Sequence, residues 1–151
     1  VYLVVAQADP NIDVAGMSCG IAATANVGIF GWSLCADLEF PNGGWPASGG
    51  GNRITWDATI NCQTTEVGGE GVHAVAGAFY IYSYGDGVLS VTPNNGVPVP
   101  ELQVADCSAA SEDIQFAGGE VGYGAAIGFN PCGVVPVEET SWGKSKGAYN
   151  D

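Results

Sequence analysis

Arg53-Ile-Thr-Trp-Asp-Ala-Thr-Ile60 decides the fold, because it opens one of only two stretches long enough, and free enough of Gly and Pro, to hold a helix. Ile54, Trp56, Ala58 and Ile60 alternate with polar residues, which is the period of a half-buried strand. The other stretch, Glu101–Ala117, begins with the same alternation at Leu102-Gln-Val104 and turns polar at Ser108–Asp113, where one helical turn has room. Everywhere else glycine or proline interrupts the chain at strand-length intervals. The expected strands are therefore Val1–Ala6, Gly20–Ala25, Ile29–Phe40, Arg53–Cys62, Ala74–Tyr84, Val88–Thr92, Glu101–Ala105 and Val121–Ile127. Hairpin turns are expected near Asn26-Val-Gly28 and at Tyr84-Gly-Asp-Gly87. So many short strands spaced by turns predict an all-β fold, an antiparallel β-sandwich of Ig-like or jelly-roll-like type with long glycine-rich loops and disulfides.

Composition agrees. Glycine occupies 24 of 151 positions, and Pro41-Asn-Gly-Gly-Trp-Pro-Ala-Ser-Gly-Gly-Gly51 is the extreme loop. Three units follow from the pattern: a first strand and polar tether over 1–14, a sandwich over 15–134 and a tail over 135–151. Hydrophobic residues make up 46%, too many for a disordered chain. Sixteen acidic residues face three cations, Arg53, Lys144 and Lys146, giving a net charge of −13. Such a surface repels phosphate backbones and anionic lipid, so nucleic acid is not an expected partner. No apolar run approaches the ~20 residues of a membrane helix, so no membrane insertion is expected.

The cysteines indicate the compartment. Cys19, Cys35, Cys62, Cys107 and Cys132 are separated by 16, 27, 45 and 25 residues, without the close pairs of a zinc site. Disulfides in an extracellular or cell-surface protein are the expectation, with Val1 as a mature N-terminus left by signal cleavage. In Ile29–Phe40 the core face is best filled by Trp32, Leu34, Leu38 and Phe40, which turns Cys35 away. Cys62 shares a face with Ile54, Trp56 and Ile60, and Cys19 with Ile21. This parity favours Cys19–Cys62 inside the sandwich and Cys107–Cys132 across the C-terminal hairpin, with Cys19–Cys35 as a competing pair.

Catalytic chemistry finds little purchase. A hydrolytic triad needs a base, and His73, in Glu70-Gly-Val-His-Ala74, is the only histidine. Gly118-Gly-Glu-Val-Gly-Tyr-Gly124 lacks the lysine and following helix of a phosphate loop, and reads as turn and strand. Asp37 with Glu39, and Glu66 with Glu70, are the carboxylate pairs a glycosidase would need. The first pair is expected on an outward, solvated strand face and the second in a glycine-rich loop. Asp9-Pro-Asn-Ile-Asp13 supplies the first ligand positions of an EF-hand-type loop, but Val14 stands where glycine is needed and Gly20 where a carboxylate is needed. No enzymatic activity, no cofactor and no metal centre are expected. Trp45 is a candidate ligand contact, placed where an indole can stack on a sugar, although anchoring its loop to the domain is the favoured role.

The segment left over is Val1-Tyr-Leu-Val-Val-Ala6, apolar on both faces and followed by the polar stretch Gln7–Val14. This arrangement resembles donor-strand pilins and other extracellular filament subunits, in which a terminal strand completes the sheet of the next subunit. The resemblance implies that Val1, Tyr2, Leu3, Val4, Val5 and Ala6 form an assembly strand and that the partners are copies of the chain itself. The alternative is a secreted module binding carbohydrate or calcium, with glycans as partners. The tail Glu139-Thr-Ser-Trp-Gly-Lys-Ser-Lys146 resembles that of uncharacterised secreted bacterial proteins and implies no activity.

Overall fold

A computed structural model describes residues 1–8, 13–67, 71–108, 113–115 and 117–129. Among them there is no helix. Ten strands are present: β1 (Tyr2–Ala8), β2 (Gly16–Ala23), β3 (Val27–Leu34), β4 (Leu38–Asn42), β5 (Gly51–Thr55), β6 (Val72–Ser83), β7 (Gly87–Thr92), β8 (Gln103–Ala105), β9 (Asp113–Gln115) and β10 (Glu120–Tyr123). They form two antiparallel sheets, as the alternating pattern requires. The small sheet has the order β1-β6-β3. The large sheet has the order β10-β7-β2-β5-β4, with β8 beside the first half of β2 and β9 beside β8.

β2 is the centre of the large sheet. Its Gly16–Gly20 segment pairs with β5 on one edge, while β8 and β7 share the other edge. Six successive residues of β2 are buried, as expected for a strand covered on both sides. Between the sheets lie Met17, Cys19, Ile21, Ile54, Trp56, Leu89 and Val104 from the large-sheet side, facing Leu3, Val5, Ala74, Ala76 and Phe79 from the small one. β1 therefore contributes to the same core as the rest of the sandwich.

Both expected hairpins are crossings between sheets. β2 is flanked on both edges by β5, β7 and β8, so β3 has no edge to pair with and passes to the small sheet. β6 pairs with β1 along Val72–Ala78 and with β3 along Gly77–Ser83, and Tyr84-Gly-Asp-Gly87 then carries the chain back to the large sheet as β7. The two crossings lie side by side and bond to each other. Asn26 Nδ2 donates to the Asp86 carbonyl at 3.0 Å, and the Tyr84 amide donates to the Asn26 carbonyl at 2.9 Å.

Two long expected strands are each shorter than their pattern. Ile29–Phe40 breaks at Cys35-Ala-Asp37 into β3 and β4, one in each sheet, so Trp32 and Leu34 are half-buried while Leu38 and Phe40 are exposed. Arg53–Cys62 stops at Thr55, and the Asp57 carboxylate accepts the Thr59 and Ile60 amides in a turn that leaves Ile60 exposed. The polar stretch after β8 returns as strand β9 from Asp113, and residues 109–112 lie outside the described residues.

Buried amides fasten the glycine-rich loops to the large sheet. Asn94 is fully buried; its Nδ2 donates to Ser18 Oγ at 3.1 Å, and its Oδ1 accepts from Asn42 Nδ2 and the Gly96 amide. Gly51 is required beside it, because a Cβ there would overlap the Asn94 side-chain amide. In the small sheet the equivalent constraint falls on Gly77, across which the Trp32 ring lies.

Candidate functional site

The assembly strand is the first candidate, and the structure seats it on its own domain. β1 pairs antiparallel with β6, with Tyr2 opposite Ala78, Leu3 opposite Gly77, Val4 opposite Val75 and Val5 opposite Ala74, and with two register shifts along the ladder. Val1 joins the ladder through reciprocal bonds with Phe79, nitrogen to carbonyl at 3.0 and 2.8 Å. Leu3 and Val5 are buried, Ala6 is half-buried, and Val1, Tyr2 and Val4 are exposed. Among the described residues the strand therefore lies at a sheet edge with a single partner and one face in the core, where its sequence suggested burial on both faces.

The disulfides differ from expectation. Cys62 is bonded to Cys107, so neither Cys19–Cys62 nor Cys107–Cys132 forms. The reason is the early end of β5: beyond Thr55 the chain turns, and Cys62 leaves the face it would have shared with Ile54. Cys62 instead reaches the end of β8, which is hydrogen-bonded to β2 through the same region. Cys19 is fully buried as a free thiol in the core, and burial pushes its pKa up to about 12. Cys35 is free and exposed, and Cys132 lies outside the described residues.

Trp45 is held inward. Its ring packs edge-on against Trp32 at 5.1 Å and tilted against Phe79 at 5.3 Å, so it clamps the glycine-rich loop onto the sandwich. One side of this cluster borders a groove of about 450 Å³ lined by Phe30, Trp32, Glu39, Pro41, Trp45 and Pro46. Glu39 is the member sequence reading missed. Read as part of one strand with Asp37 it pointed to solvent; the break at Cys35–Asp37 instead turns it inward, and no glycine or proline announces that break. Glu39 Oε2 accepts from Trp32 Nε1 at 2.9 Å and from Asn52 Nδ2 at 2.7 Å. The carboxylate thus positions the indole that forms the groove wall.

The remaining candidates do not converge. Asp37 is exposed, and its carboxyl is held below the usual range by the Asp57 amide and then by the Asn61 side chain. Glu66 is exposed, and Glu70 lies outside the described residues. His73 is half-buried in β6, and its Nε2 has no hydrogen-bond partner among the described residues. Gly16-Met-Ser-Cys-Gly20, a motif that sequence reading missed, has the spacing of a hydrolase elbow, but Ser18 is buried in mid-strand and bonded to Asn94, where an elbow needs a sharp exposed turn. Asp13 lies beside the sulfurs of Cys62 and Cys107, yet those sulfurs are bonded to each other, which leaves one carboxylate. Asp9–Asn11 of the calcium-loop motif lie outside the described residues, as does the tail. Among the described residues no helix is long and apolar enough to cross a membrane. Comparison of the chain with models of protein families, with curated proteins and with solved structures yields no match.

Proposed function

We propose that the chain is a structural subunit of an extracellular filament or surface assembly, and that copies join by exchanging β1. The observation that carries this reading is the seat of β1. It buries Leu3 and Val5 in the core, yet among the described residues it is an edge strand tied to the domain by one ladder. The β1 of a neighbouring copy satisfies the same seat with the same register. Leu3 and Val5 together are worth ~3–6 kcal/mol on full burial, at ~1.5–3 kcal/mol each, and that gain is common to the closed and exchanged forms. Concentration then decides between them. Head-to-tail exchange is heterologous and does not close, so it generates a filament. The Cys62–Cys107 bridge supports an oxidising, extracellular setting.

The test uses the buried pair Val5 and Ala74, which face each other across the ladder. A chain carrying Val5→Cys is refolded at high concentration with a chain carrying Ala74→Cys and then oxidised. A peptide joining positions 5 and 74 of different chains is expected. Its absence, with both chains folded, overturns strand exchange. Deleting Val1–Ala6 should expose an apolar seat and cause aggregation that the free peptide relieves.

A second reading, a secreted carbohydrate-binding module, is favoured by the groove. Its aromatic walls and the Glu39 carboxylate suit a neutral sugar, whose rings stack on indoles and whose hydroxyls donate to carboxylates. Retention on a polysaccharide that Trp45→Ala abolishes would select it.

A further inference from the structure

We infer that the outward face of the small sheet is a second contact between copies of this chain, in which two such faces pack against each other. This takes its partner from the proposed self-assembly but does not depend on strand exchange. Tyr80 and Tyr82 project outward from β6, and Tyr84 continues the row. Tyr80 and Tyr82 meet edge-on at 5.6 Å, Tyr82 and Tyr84 stack at 6.3 Å, and Phe30 of β3 meets Tyr82 edge-on at 5.6 Å. Tyr2 and Val4 of β1 and Val75 of β6 extend the same surface.

Two glycines of β3 make room for it. Gly31 lies opposite Tyr80 and Gly28 opposite Tyr82 in the ladder, and Phe30 folds back over Gly28, where an added Cβ would sit 2.7 Å from the ring. Glycine on one strand is thus covered by aromatic rings, so the face is built and not a scatter of exposed residues.

Area and charge identify the occupant. Tyr2, Phe30, Tyr80, Tyr82 and Tyr84 are 51 to 74% exposed. At roughly 200 Å² per ring they present about 600 Å² before the valines are added. That equals the largest patch of a typical monomer and approaches the ~800 Å² per partner of a standard interface. The chain carries a charge of −13, yet β1, β3 and β6 contain no Asp, Glu, Lys or Arg, and His73 is their only ionisable side chain besides tyrosine. A charged partner finds no charged side chain in these strands to pair with. A second copy brings an equally charge-free face, buries no unpaired charge and keeps the acidic surfaces apart. Each tyrosine hydroxyl both donates and accepts, so two identical faces satisfy each other across a two-fold axis. The edge-on Phe30–Tyr82 and Tyr80–Tyr82 pairs also differ from the coplanar platform a flat polysaccharide would need.

Sedimentation velocity across a concentration series tests the contact. The wild-type chain should associate reversibly, Tyr82→Lys should weaken association about tenfold or more, and Tyr82→Phe should retain most of it. Tyr84→Lys, at the more exposed end of the row, supplies the same readout if Tyr82→Lys does not fold. Repeating the series on a chain carrying both Val5→Cys and Ala74→Cys, with β1 locked onto its own domain, separates the two contacts. Association that survives the lock and is lost with Tyr82→Lys supports the face even if strand exchange fails. A monomeric wild-type chain overturns the proposal. So does association that survives Tyr82→Lys and Tyr84→Lys but vanishes on locking, or Tyr82-dependent retention of a monomer on polysaccharide.

Discussion

The two sheets bury one core between them but are held together by different chemistry. The large sheet is fastened by polar side chains: Asn94 to Ser18 and Asn42, Asn52 to Glu39, Asp37 to the Asp57 turn, and a surface ion pair of Arg53 with Glu101 at 3.6 Å. The small sheet has no charged side chain in its three strands and relies on aromatic packing around Phe79, Trp32 and Trp45 on its inner side. Hydrogen bonds fix loops at stated geometry, whereas the hydrophobic burial of an apolar face is non-directional and tolerates exchange of partners. On the proposed self-assembly, separating the two keeps the loops in place while copies meet.

Breaking the small sheet should have the largest effect. Phe79 is buried against Trp32 at 4.6 Å and against Trp45, and its backbone receives Val1. Phe79→Ala should cost ~3–5 kcal/mol in denaturant unfolding and loosen β1 with it. Hydrogen exchange should show the amides of β1 and β6 opening first. A loss confined to the large sheet would contradict the division drawn above.

Next in size is the Cys62–Cys107 bridge, which closes a separation of 45 residues. Selective reduction should lower stability by ~2–4 kcal/mol. In the native state alkylation should reach Cys35 readily but not Cys19, whose thiol is buried and held in its neutral form. Mapping the alkylated peptides before and after unfolding checks both statements.

The buried amides come third. Asn94→Ala strands the Ser18 hydroxyl and the Asn42 amide and should cost ~1–3 kcal/mol. Tyr80→Ala, on the open face of the other sheet, should stay within about 0.5 kcal/mol in the monomer. Equal losses at the two positions would mean that Tyr80 is already covered within one chain.

What was legible in the sequence was what alternation and turn residues encode. The all-β class, the first strand, the β6 strand and the turn and strand around Gly118–Gly124 follow from those signals. Sheet membership did not. Tyr84-Gly-Asp-Gly87 has the composition of a hairpin turn, but which sheet the next strand joins depends on where its buried side chains, here Leu89, meet the core, which is a non-local fact. The same non-locality misplaced the disulfides and Glu39. Parity arguments hold only while a strand stays unbroken, and Asp37 and Asp57 end β3–β4 and β5 with side-chain bonds that carry no glycine or proline signature.

The smallest expected effect concerns pH and falls on the polar end of the comparison. The Asp37 carboxylate accepts the Asp57 amide at 2.7 Å and both of its oxygens accept from Asn61 at 3.0 Å, which lowers its pKa in the folded chain. The unfolded value is about 3.9. A carboxyl whose folded pKa is depressed contributes stability that is complete above the unfolded value and is lost as pH falls through the folded one. Asp37→Asn keeps an acceptor of the same shape and removes the titration. The variant should be less stable than the wild-type chain at neutral pH, and the difference should close below pH ~4. The other carboxylates titrate in both proteins, so the difference between the two curves isolates Asp37. The Asp57 amide resonance gives a local reading, since its shift should follow Asp37 in the wild-type chain and not in the variant. Parallel stability curves, or an Asp57 amide that titrates equally in both, would show that this bond does not couple the β3–β4 break to pH. Amides of β1 should remain unmoved over the same range, because neither β1 nor β6, its ladder partner, contains a carboxylate.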